Sequence, residues 1–265
     1  MPPPQRCARA VIEYDGTDFA GSQYQPNART VQGELEGALN RLTGERVRVR
    51  LAGRTDAGVH ATGQVAAFCL PRRGRGADFG WEELRRRLNA VLPPDLAVRS
   101  LRAAPHGFDP RRDAAWRVYR YRIRTAGSRR PAERHRTLEI GEGLDVAAMR
   151  AAADKLHGER DFAALGSDAK GRTVRRVSRV RVLSRGTSVE VVVTANAFLR
   201  RMVRSIVALL LEVGRGKLAP EDVPRILDAG GRALDGRAAA ARGLTLERVV
   251  YNRITKQTIT REQET

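Results

Sequence analysis

The sequence predicts an α+β fold made of two similar halves. Along its 265 residues, the order strand-helix-strand-strand-helix-strand occurs roughly twice. Alternating apolar side chains mark the strands, and apolar side chains at every third or fourth position mark the helices. This order is typical of antiparallel sheets that helices cover on one face.

The first half contains two helices whose ends are visible in the sequence. One helix begins at Val31, where Thr30 is a suitable N-cap. The other covers 81–92 and is terminated by Pro93 and Pro94, because proline cannot continue a helix. The apolar patterns around them predict strands at 8–14, 46–52, 63–70 and 96–101.

The second half follows the same order with longer strands. Strands are expected at 118–124, 173–183, 188–195 and 246–251, and helices after Asp145 through Leu156, at 198–213 and from Pro220. We therefore divide the chain into an N-terminal α+β half at 1–107, a C-terminal α+β half at 108–254 and a polar tail at 255–265.

The chain is strongly basic, with 49 Lys plus Arg against 30 Asp plus Glu and a formal net charge of +19. Nearly all the cations are Arg, whose planar guanidinium bridges phosphate oxygens and stacks on bases. This composition favours RNA as the partner. A genomic preference for Arg over Lys explains the ratio but not the excess of charge. Two basic loops, 71–76 and 128–136, are either solvated connections or arms on RNA phosphate.

Several kinds of site are disfavoured by the sequence. The longest apolar stretch, 206–211, is too short to span a bilayer, and the N-terminus lacks a targeting pattern, so we expect a cytoplasmic protein without membrane contact. The histidines lack metal-ligand spacing, so no metal is expected. Cys7 and Cys69 are too few and too far apart for a zinc site or a disulfide framework, and each is expected to be a buried reduced thiol.

A candidate catalytic carboxylate, Asp56, lies in a turn of small residues between two predicted strands. Glycines at 53, 58 and 63 allow positive φ or a close approach to a ligand. We expect Arg54, two positions earlier, to lie against the carboxylate and hold it ionised. For an isolated motif of this kind, an Asp that caps a turn beside a surface Arg is the ordinary interpretation.

The motif around Asp56 is longer than a turn requires, since residues 53–65 read Gly-Arg-Thr-Asp-Ala-Gly-Val-His-Ala-Thr-Gly-Gln-Val. This string resembles the signature of the transfer-RNA pseudouridine synthases of the TruA family. Further segments resemble the same family, in the same order over nearly the whole chain, at 13–21, 31–36, 116–121, 195–204 and 243–249.

The resemblance implies a fold, a reaction and a set of site residues. The two halves would join into one continuous sheet with helices on one face and the active cleft on the other, and the protein would be a homodimer. It would convert uridine to pseudouridine at positions 38 to 40, in the anticodon stem-loop of tRNA. Asp56 would be the catalytic residue and Tyr119 would stack beside the reacting uracil. Arg204 would lie near the cleft and pair with Asp56.

The reaction breaks the N1 glycosidic bond, rotates the uracil and rejoins it through C5. It needs no net redox change and no added group, so no cofactor is expected. Asp56 could attack the sugar, attack the base or abstract a ribose proton, and the sequence leaves these open. Arg54 and Arg204 could equally contact phosphate. Tyr119 could simply pack beside Tyr121 on one face of its strand.

Two segments differ from the pattern that the family commonly has. The chain has Gly21-Ser22-Gln23 where Gly-Trp-Gln is common, and Phe108-Asp109-Pro110-Arg111 where His-Ala-Arg commonly follows the Phe. These differences concern local RNA contacts and the choice of uridine. The alternative function is a non-catalytic tRNA-binding chaperone of the same fold, and Asp56 discriminates the two, because a carboxylate in a phosphate cleft would only repel the ligand of a binding protein.

Overall fold

The computed structural model describes residues 5–72, 79–105, 107–125, 127–166, 171–229 and 237–252. Within these ranges the helices are α1 (Val31–Thr43), α2 (Trp81–Val91), α3 (Val146–Asp154), α4 (Met202–Gly214) and α5 (Asp222–Asp228). The strands are β1 (Gln5–Tyr14), β2 (Arg50–Leu51), β3 (His60–Pro71), β4 (Leu96–Ala104), β5 (Ala114–Arg124), β6 (Leu138–Glu139), β7 (Gly158–Asp161), β8 (Val174–Arg185), β9 (Ser188–Ala195) and β10 (Leu244–Tyr251). The predicted α+β class is confirmed.

The described strands form one sheet, in the order β4-β1-β3-β10-β5-β9-β8-β7, with β2 beside β3 and β6 beside β5. Within each half, neighbouring strands run antiparallel except for β5 and β6. The halves meet where β10 lies parallel to β3, with Thr245 beside His60 and Leu246 beside Ala61. The continuous sheet made of two antiparallel halves is therefore confirmed.

Helices α1 to α4 cover one face of this sheet. On β9, the alternate residues Val189, Val191 and Val193 belong to the buried core, together with residues of α3 and α4. The residues between them, such as Glu190 and Thr194, remain partly exposed on the other face. The alternation in the sequence thus separates a covered face from an open one, as a half-buried strand requires.

The cleft around Asp56 lies on the covered face, contrary to the predicted position opposite the helices. Tyr119 is the cross-strand neighbour of Val193 and shares its face. Tyr119 also lines the cleft, together with the segments that precede α1 and α4. The prediction was wrong because the helices cover the outer parts of each half and leave the middle of the same face open.

The helix ends follow from local chemistry. At the start of α1, Thr30 Oγ1 accepts the N–H of Gly33 at 3.2 Å, as the sequence predicts. At the start of α3, the Asp145 carboxylate accepts the N–H of Ala148 at 2.9 Å. Helix α1 is capped at its C-terminus by Gly44, whose φ of 74° lies in the left-handed region that glycine adopts without strain.

Helix α4 begins at Met202, four positions after the predicted start at 198. Arg201, at its N-cap, has a φ of 60° and is the one non-glycine residue with positive φ in the described part of the chain. This conformation is uncommon for a residue with a side chain and requires support from the surrounding structure. Residues 198–201, which the sequence predicted as the start of this helix, therefore form a loop. This loop lines the cleft.

Cys7 and Cys69 form a disulfide, so the expectation of two reduced thiols is wrong. The two residues lie directly opposite each other in the register of β1 and β3. Their sequence separation of 62 conceals this, because separation along the chain says nothing about pairing between strands. The bond joins β1 to the strand that follows the Asp56 loop.

The division into 1–107 and 108–254 stays a prediction, although the strands of each range do pair mainly with one another. The tail at 255–265 and residues 73–76 of the first basic loop lie outside the described residues. The second basic loop is described and contacts the loop after β1, where Arg136 Nη2 donates to Asp15 Oδ2 at 3.2 Å.

Candidate active site

The candidate site is a cleft of about 780 Å³. Its walls are the segment before α1, the loop between β2 and β3, strand β5 and the segment before α4. The lining includes all four residues proposed from the sequence, namely Arg54, Asp56, Tyr119 and Arg204. Residues from both halves of the sheet therefore meet around one carboxylate.

Asp56 is paired with Arg204. The Arg204 Nη1 donates to Asp56 Oδ2 at 3.0 Å, and its Nε donates to the carbonyl oxygen of Ala239 at 2.6 Å. The exposed fraction is 28% for the Asp56 side chain and 15% for that of Arg204. A partly buried pair is screened less than a surface pair. Arg204 thus orients the carboxylate while one side of it stays open to the cleft.

Arg54 does not contact the Asp56 carboxylate, so that part of the prediction is wrong. Its side chain is exposed and lines the outer part of the cleft. The intervening Thr55 is turned inward and buried, which leaves Arg54 on the outside. A turn then begins at Asp56, whose carbonyl accepts the N–H of Val59 at 3.1 Å. Arg54 is therefore available to a ligand rather than to Asp56.

The backbone beside Asp56 is fixed through Thr55. Its hydroxyl lies 2.9 Å from the hydroxyl of Tyr14. Its N–H donates to Ser22 Oγ at 2.8 Å, and its carbonyl accepts the N–H of Ser22 at 3.0 Å. Thr55 and Ser22 are both buried, so these bonds are shielded from water. Ser22, one of the positions that differs from the family pattern, therefore supports the candidate catalytic loop.

We expect Ser22→Ala to destabilise the protein and slow the reaction. The change leaves the buried N–H of Thr55 without its acceptor, which costs about 1–3 kcal/mol of unfolding free energy. It also loosens the backbone that positions Asp56. Urea denaturation and turnover would be measured beside Ser128→Ala, which alters an exposed serine. Unchanged stability and turnover in Ser22→Ala would show that this hydrogen bond has no role.

The other end of the loop is held by Gln64. Its Nε2 donates to the Gly53 carbonyl at 2.8 Å and lies 3.4 Å from the Tyr14 hydroxyl. Burial raises the pKa of Tyr14 to about 12, even though hydrogen bonds with Thr55 and Gln64 act in the opposite direction. Tyr14 therefore remains a neutral phenol at physiological pH and serves as a fixed hydrogen-bonding group.

His60, which received no role from the sequence, connects three segments. Its ring is buried and its Nδ1 accepts the N–H of Gly16 at 3.0 Å. Its Nε2 lies 2.6 Å from the carbonyl oxygen of His135. Gly16 must be glycine, because a Cβ there would lie 2.0 Å from the carbonyl oxygen of Val59. These contacts fix the far end of the Asp56 turn.

Arg117 is a second supporting residue that the sequence did not single out. Its buried guanidinium donates to the carbonyl oxygens of Ala52, Arg111, Ala114 and Asn196. Burial lowers the pKa of Arg117, although an arginine side chain remains protonated in proteins. The contact with Ala52 joins the start of the Asp56 loop to β5. In the sequence, the only sign of such a residue is a charged side chain at a position that the strand alternation predicts to be buried.

Tyr119 lies beside Asp56 at the base of the cleft. Its ring is 7% exposed and meets the ring of Phe198 edge-on, with 5.1 Å between the centroids. Burial raises the pKa of Tyr119, and the nearby Tyr14 and the negative charge of Asp56 act in the same direction. The phenol is therefore a neutral hydroxyl at physiological pH, able to donate a hydrogen bond.

Arginines surround the cleft opening. Those that line it, besides Arg54, Arg117 and Arg204, are Arg111, Arg175, Arg200 and Arg201. Burial lowers the pKa of Arg175, and the neighbouring charges of Arg172 and Arg111 act in the same direction. A cleft with this much positive charge attracts a polyanion and steers it toward the carboxylate.

Among the described residues, no three His, Cys, Asp or Glu side chains come together as metal ligands would. The absence of a metal and of a cofactor in the working protein stays a prediction. In the same part of the chain, no helix has the length and apolar character needed to cross a membrane.

Comparisons with known proteins agree with these motifs. The family model described as tRNA pseudouridine synthase matches residues 10–111 and 152–252. A tRNA pseudouridine synthase A of Geobacter sulfurreducens is 45% identical over 248 residues, covering 93% of this chain and all of that protein. A tRNA pseudouridine synthase A of Chloroflexus aurantiacus is 46% identical over 254 residues, covering 93% of this chain and 89% of that protein.

Among solved structures, a chain from the crystal structure of a Cbf5-Nop10-Gar1 complex aligns with 77% of this chain and 54% of its own length. Its sequence identity is 12% and its TM-score is 0.30, a level that does not establish a shared fold. The similarity in sequence is much stronger, because the alignment with the Geobacter protein extends over nearly the whole chain and the matched family model includes the Asp56 region. The chain belongs to the tRNA pseudouridine synthase family.

Proposed function

We propose that this protein isomerises uridine to pseudouridine in the anticodon stem-loop of tRNA, at positions 38 to 40, with Asp56 as the catalytic residue. Family membership supports the reaction and the substrate class. The observation that carries the proposal is a partly exposed carboxylate, held by Arg204 at 3.0 Å, inside a cleft lined with arginines. A cleft that only bound phosphate would gain nothing from this negative charge.

Asp56 begins the reaction by one of the three routes that its chemistry allows. It attacks C1′ of the ribose, attacks C6 of the base, or removes the proton from C2′. In each route the N1–C1′ bond breaks, the uracil turns, a C5–C1′ bond forms, the C5 proton leaves to solvent and N1 takes up a proton, so the product is an isomer of the substrate. No atom is added and no electron is transferred overall, so the protein's own groups suffice.

Tyr119 is proposed to stack beside the uracil once the nucleotide has left the RNA stack, because an aromatic ring is the usual partner of an extruded base. Its hydroxyl is proposed to relay a proton during the ring exchange. Because the pKa of Tyr119 is raised by burial, the hydroxyl stays neutral throughout the physiological range and is available as a hydrogen-bond donor to the substrate.

Tyr119→Phe should therefore reduce turnover more than it reduces tRNA affinity. The ring remains for stacking while the proton relay is lost, and we expect a rate about 10²-fold lower. Single-turnover rates and filter binding on the same tRNA measure the two effects. Tyr24→Phe is the matched control, because Tyr24 is 48% exposed. An unchanged rate in Tyr119→Phe would remove the hydroxyl from the mechanism.

Arg54 and Arg204 are proposed as substrate-binding residues with different tasks. Arg204 lines the cleft and orients the Asp56 carboxylate through its hydrogen bond at 3.0 Å. Arg54 is exposed at the cleft opening, where it can contact a phosphate or stack on a displaced base. Arg200 and Arg201, also exposed at this opening, extend the same basic surface.

Mapping the modification on the RNA tests this function. Purified protein would be incubated with an unmodified tRNA that carries uridines at positions 38 to 40 and elsewhere. Carbodiimide adducts that stop reverse transcriptase then reveal each pseudouridine. Stops confined to these positions are expected. Tight tRNA binding without any stop would favour the chaperone, and stops elsewhere would correct the proposed positions.

A homodimer, which the family resemblance implies, and a cytoplasmic location, expected from the sequence, remain predictions. Light scattering of the purified protein would measure its mass directly.

A further inference from the structure

The turn between β4 and β5, at residues 108–113, presents one arginine to the cleft. Arg111 is the residue of this turn that lines the cleft. It is exposed, and its guanidinium has neither a hydrogen-bond partner nor a carboxylate partner in the described part of the chain. The next residue, Arg112, is also exposed but does not line the cleft. The donors of Arg111 are therefore available to a ligand in the cleft.

Asp109 fixes the backbone from which Arg111 projects. Its Oδ1 accepts the N–H of Arg111 at 2.8 Å and that of Arg112 at 3.0 Å. Burial acts to raise the pKa of Asp109, but these two bonds and the charges of Arg50 and Arg112 lower it overall. The carboxylate is therefore ionised at neutral pH, and both hydrogen bonds to it are charge-assisted.

The same turn rests on Tyr251 of β10. The Tyr251 hydroxyl donates to the carbonyl oxygen of Pro110 at 2.8 Å, and its ring contacts that of Phe108 with 5.3 Å between the centroids. A turn that is held in this way loses little conformational entropy when it binds a ligand. Its arginine is thus presented before any RNA arrives.

Arg117 couples the turn to the loop that carries Asp56. One nitrogen of its guanidinium, Nη2, donates both to the carbonyl oxygen of Arg111 and to that of Ala52, just before the Asp56 loop. The two carbonyl oxygens share one donor and therefore lie close together. A ligand held by Arg111 consequently has a defined position relative to the Asp56 loop.

The charges around Arg111 favour an anion. Among the described residues that line the cleft, Asp56 is the one carboxylate, and Arg204 already pairs with it at 3.0 Å. Arg175 lines the same cleft, and no carboxylate pairs with it in the described ranges. Burial lowers the pKa of Arg175, and the positive charges of Arg172 and Arg111 act in the same direction. Neighbouring cations without a carboxylate partner attract a phosphate group.

We propose that Arg111 binds a backbone phosphate of the tRNA beside the target uridine, and that Asp109 positions Arg111 for this contact. The inference rests on the proposed function, because it takes tRNA as the ligand. The planar guanidinium of Arg111 matches two oxygens of one phosphate, and Arg175 adds positive charge at the same cleft. Phosphate contacts fix the register of a protein on a nucleic acid. Arg111 thus helps to determine which uridine reaches Asp56.

Binding of an anticodon stem-loop RNA tests the contact with a matched pair of variants. Arg111→Gln should bind about tenfold more weakly than the native chain and lower the salt slope by about one. Arg112→Gln removes the same charge from the same turn and should bind as the native chain does. Arg111→Lys keeps the charge but loses the fork, and should lie between the native chain and Arg111→Gln. Equal affinity and salt slope in Arg111→Gln and Arg112→Gln would overturn the proposal, because Arg111 would then be only a solvated side chain.

Neutralising one phosphate at a time identifies the contacted group. Stem-loop RNAs would each carry a single methylphosphonate linkage near the target uridine. At the linkage that Arg111 contacts, the native chain should lose about tenfold in affinity, whereas Arg111→Gln should lose no more than about twofold. Losses that are equal in the two proteins at every linkage would exclude a contact between Arg111 and a backbone phosphate.

A second cycle tests the positioning role of Asp109. Asp109→Ala removes the acceptor, so it should weaken binding severalfold in the native chain and have no further effect in Arg111→Gln. Asp109→Asn keeps an oxygen acceptor and should retain most of the affinity. A loss of equal size with and without Arg111 would mean that Asp109 only supports the turn, and would overturn its positioning role.

These binding measurements need no turnover, so they separate the phosphate contact from the reaction. A native chain that binds RNA through Arg111 but forms no pseudouridine would refute the isomerase and leave the phosphate contact. Pseudouridine formation at the native rate by Arg111→Gln, with unchanged RNA affinity, would refute the contact and leave the isomerase.

Discussion

Asp56→Ala is expected to abolish pseudouridine formation while tRNA binding is retained. Removing the group that begins the reaction should lower the rate by about 10³-fold or more. Affinity should stay near the native value or rise slightly, because the carboxylate repels RNA phosphate. Nucleoside analysis of the product RNA gives the rate, and filter binding gives the affinity.

Asp18→Asn is the matched control for this experiment. Asp18 is exposed and lies outside the cleft lining, and its loss changes the net charge by the same amount. It should leave both rate and affinity unchanged. A large loss of tRNA binding in Asp56→Ala, accompanied by a lower melting temperature, would instead identify Asp56 as a residue that holds the turn together.

Arg204→Gln should also have a large effect, although Arg204 takes no part in the bond changes. Without its partner at 3.0 Å, the Asp56 carboxylate can rotate toward other arginines of the cleft. A displacement of about 1 Å from the reactive geometry can cost about 10²-fold in rate. The loss should appear in single-turnover experiments at saturating tRNA, where binding is no longer limiting.

Two further variants separate orientation from charge. Arg204→Lys keeps the positive charge but cannot bridge Asp56 and the carbonyl of Ala239 together, so it should recover only part of the rate. Arg225→Gln, at a 79% exposed side chain on α5, should behave as the native chain does. Full activity of Arg204→Gln would mean that Asp56 needs no partner.

Local signals predicted most of the helices and strands correctly. The N-cap Thr30, the Asp145 at the start of α3 and the two prolines after α2 each act on neighbouring residues, and the structure has these ends as predicted. Two short strands, β6 and β7, were missed because strands of two and four residues carry too few alternations to be recognised.

Pairing across the sheet was not readable from the sequence. The Cys7–Cys69 bond depends on the register of β1 and β3. The face on which the cleft opens depends on how α1 and α4 are spaced over the sheet. Both properties arise from contacts between segments that are far apart in the chain. Neither the periodicity of apolar residues nor the spacing of motifs predicts such contacts.

The candidate site was predicted in part. The motif at 53–65 identified Asp56, and the segment at 195–204 supplied its partner Arg204. The contact of Arg54 with Asp56 was wrong, since the burial of Thr55 directs Arg54 outward. The support from Ser22, His60 and Arg117 was missed, because hydrogen bonds to distant backbone groups leave no local pattern in the sequence.

Release of tritium from tRNA labelled at uracil C5 tests the central claim most directly. Each uridine that becomes pseudouridine exchanges its C5 label with water, so released tritium counts reaction events. The native chain and Asp18→Asn should release tritium at equal rates, and Asp56→Ala should release none while it still binds the same tRNA. Undiminished release by Asp56→Ala would contradict the assignment of Asp56, and no release by the native chain, with tight binding, would indicate a chaperone.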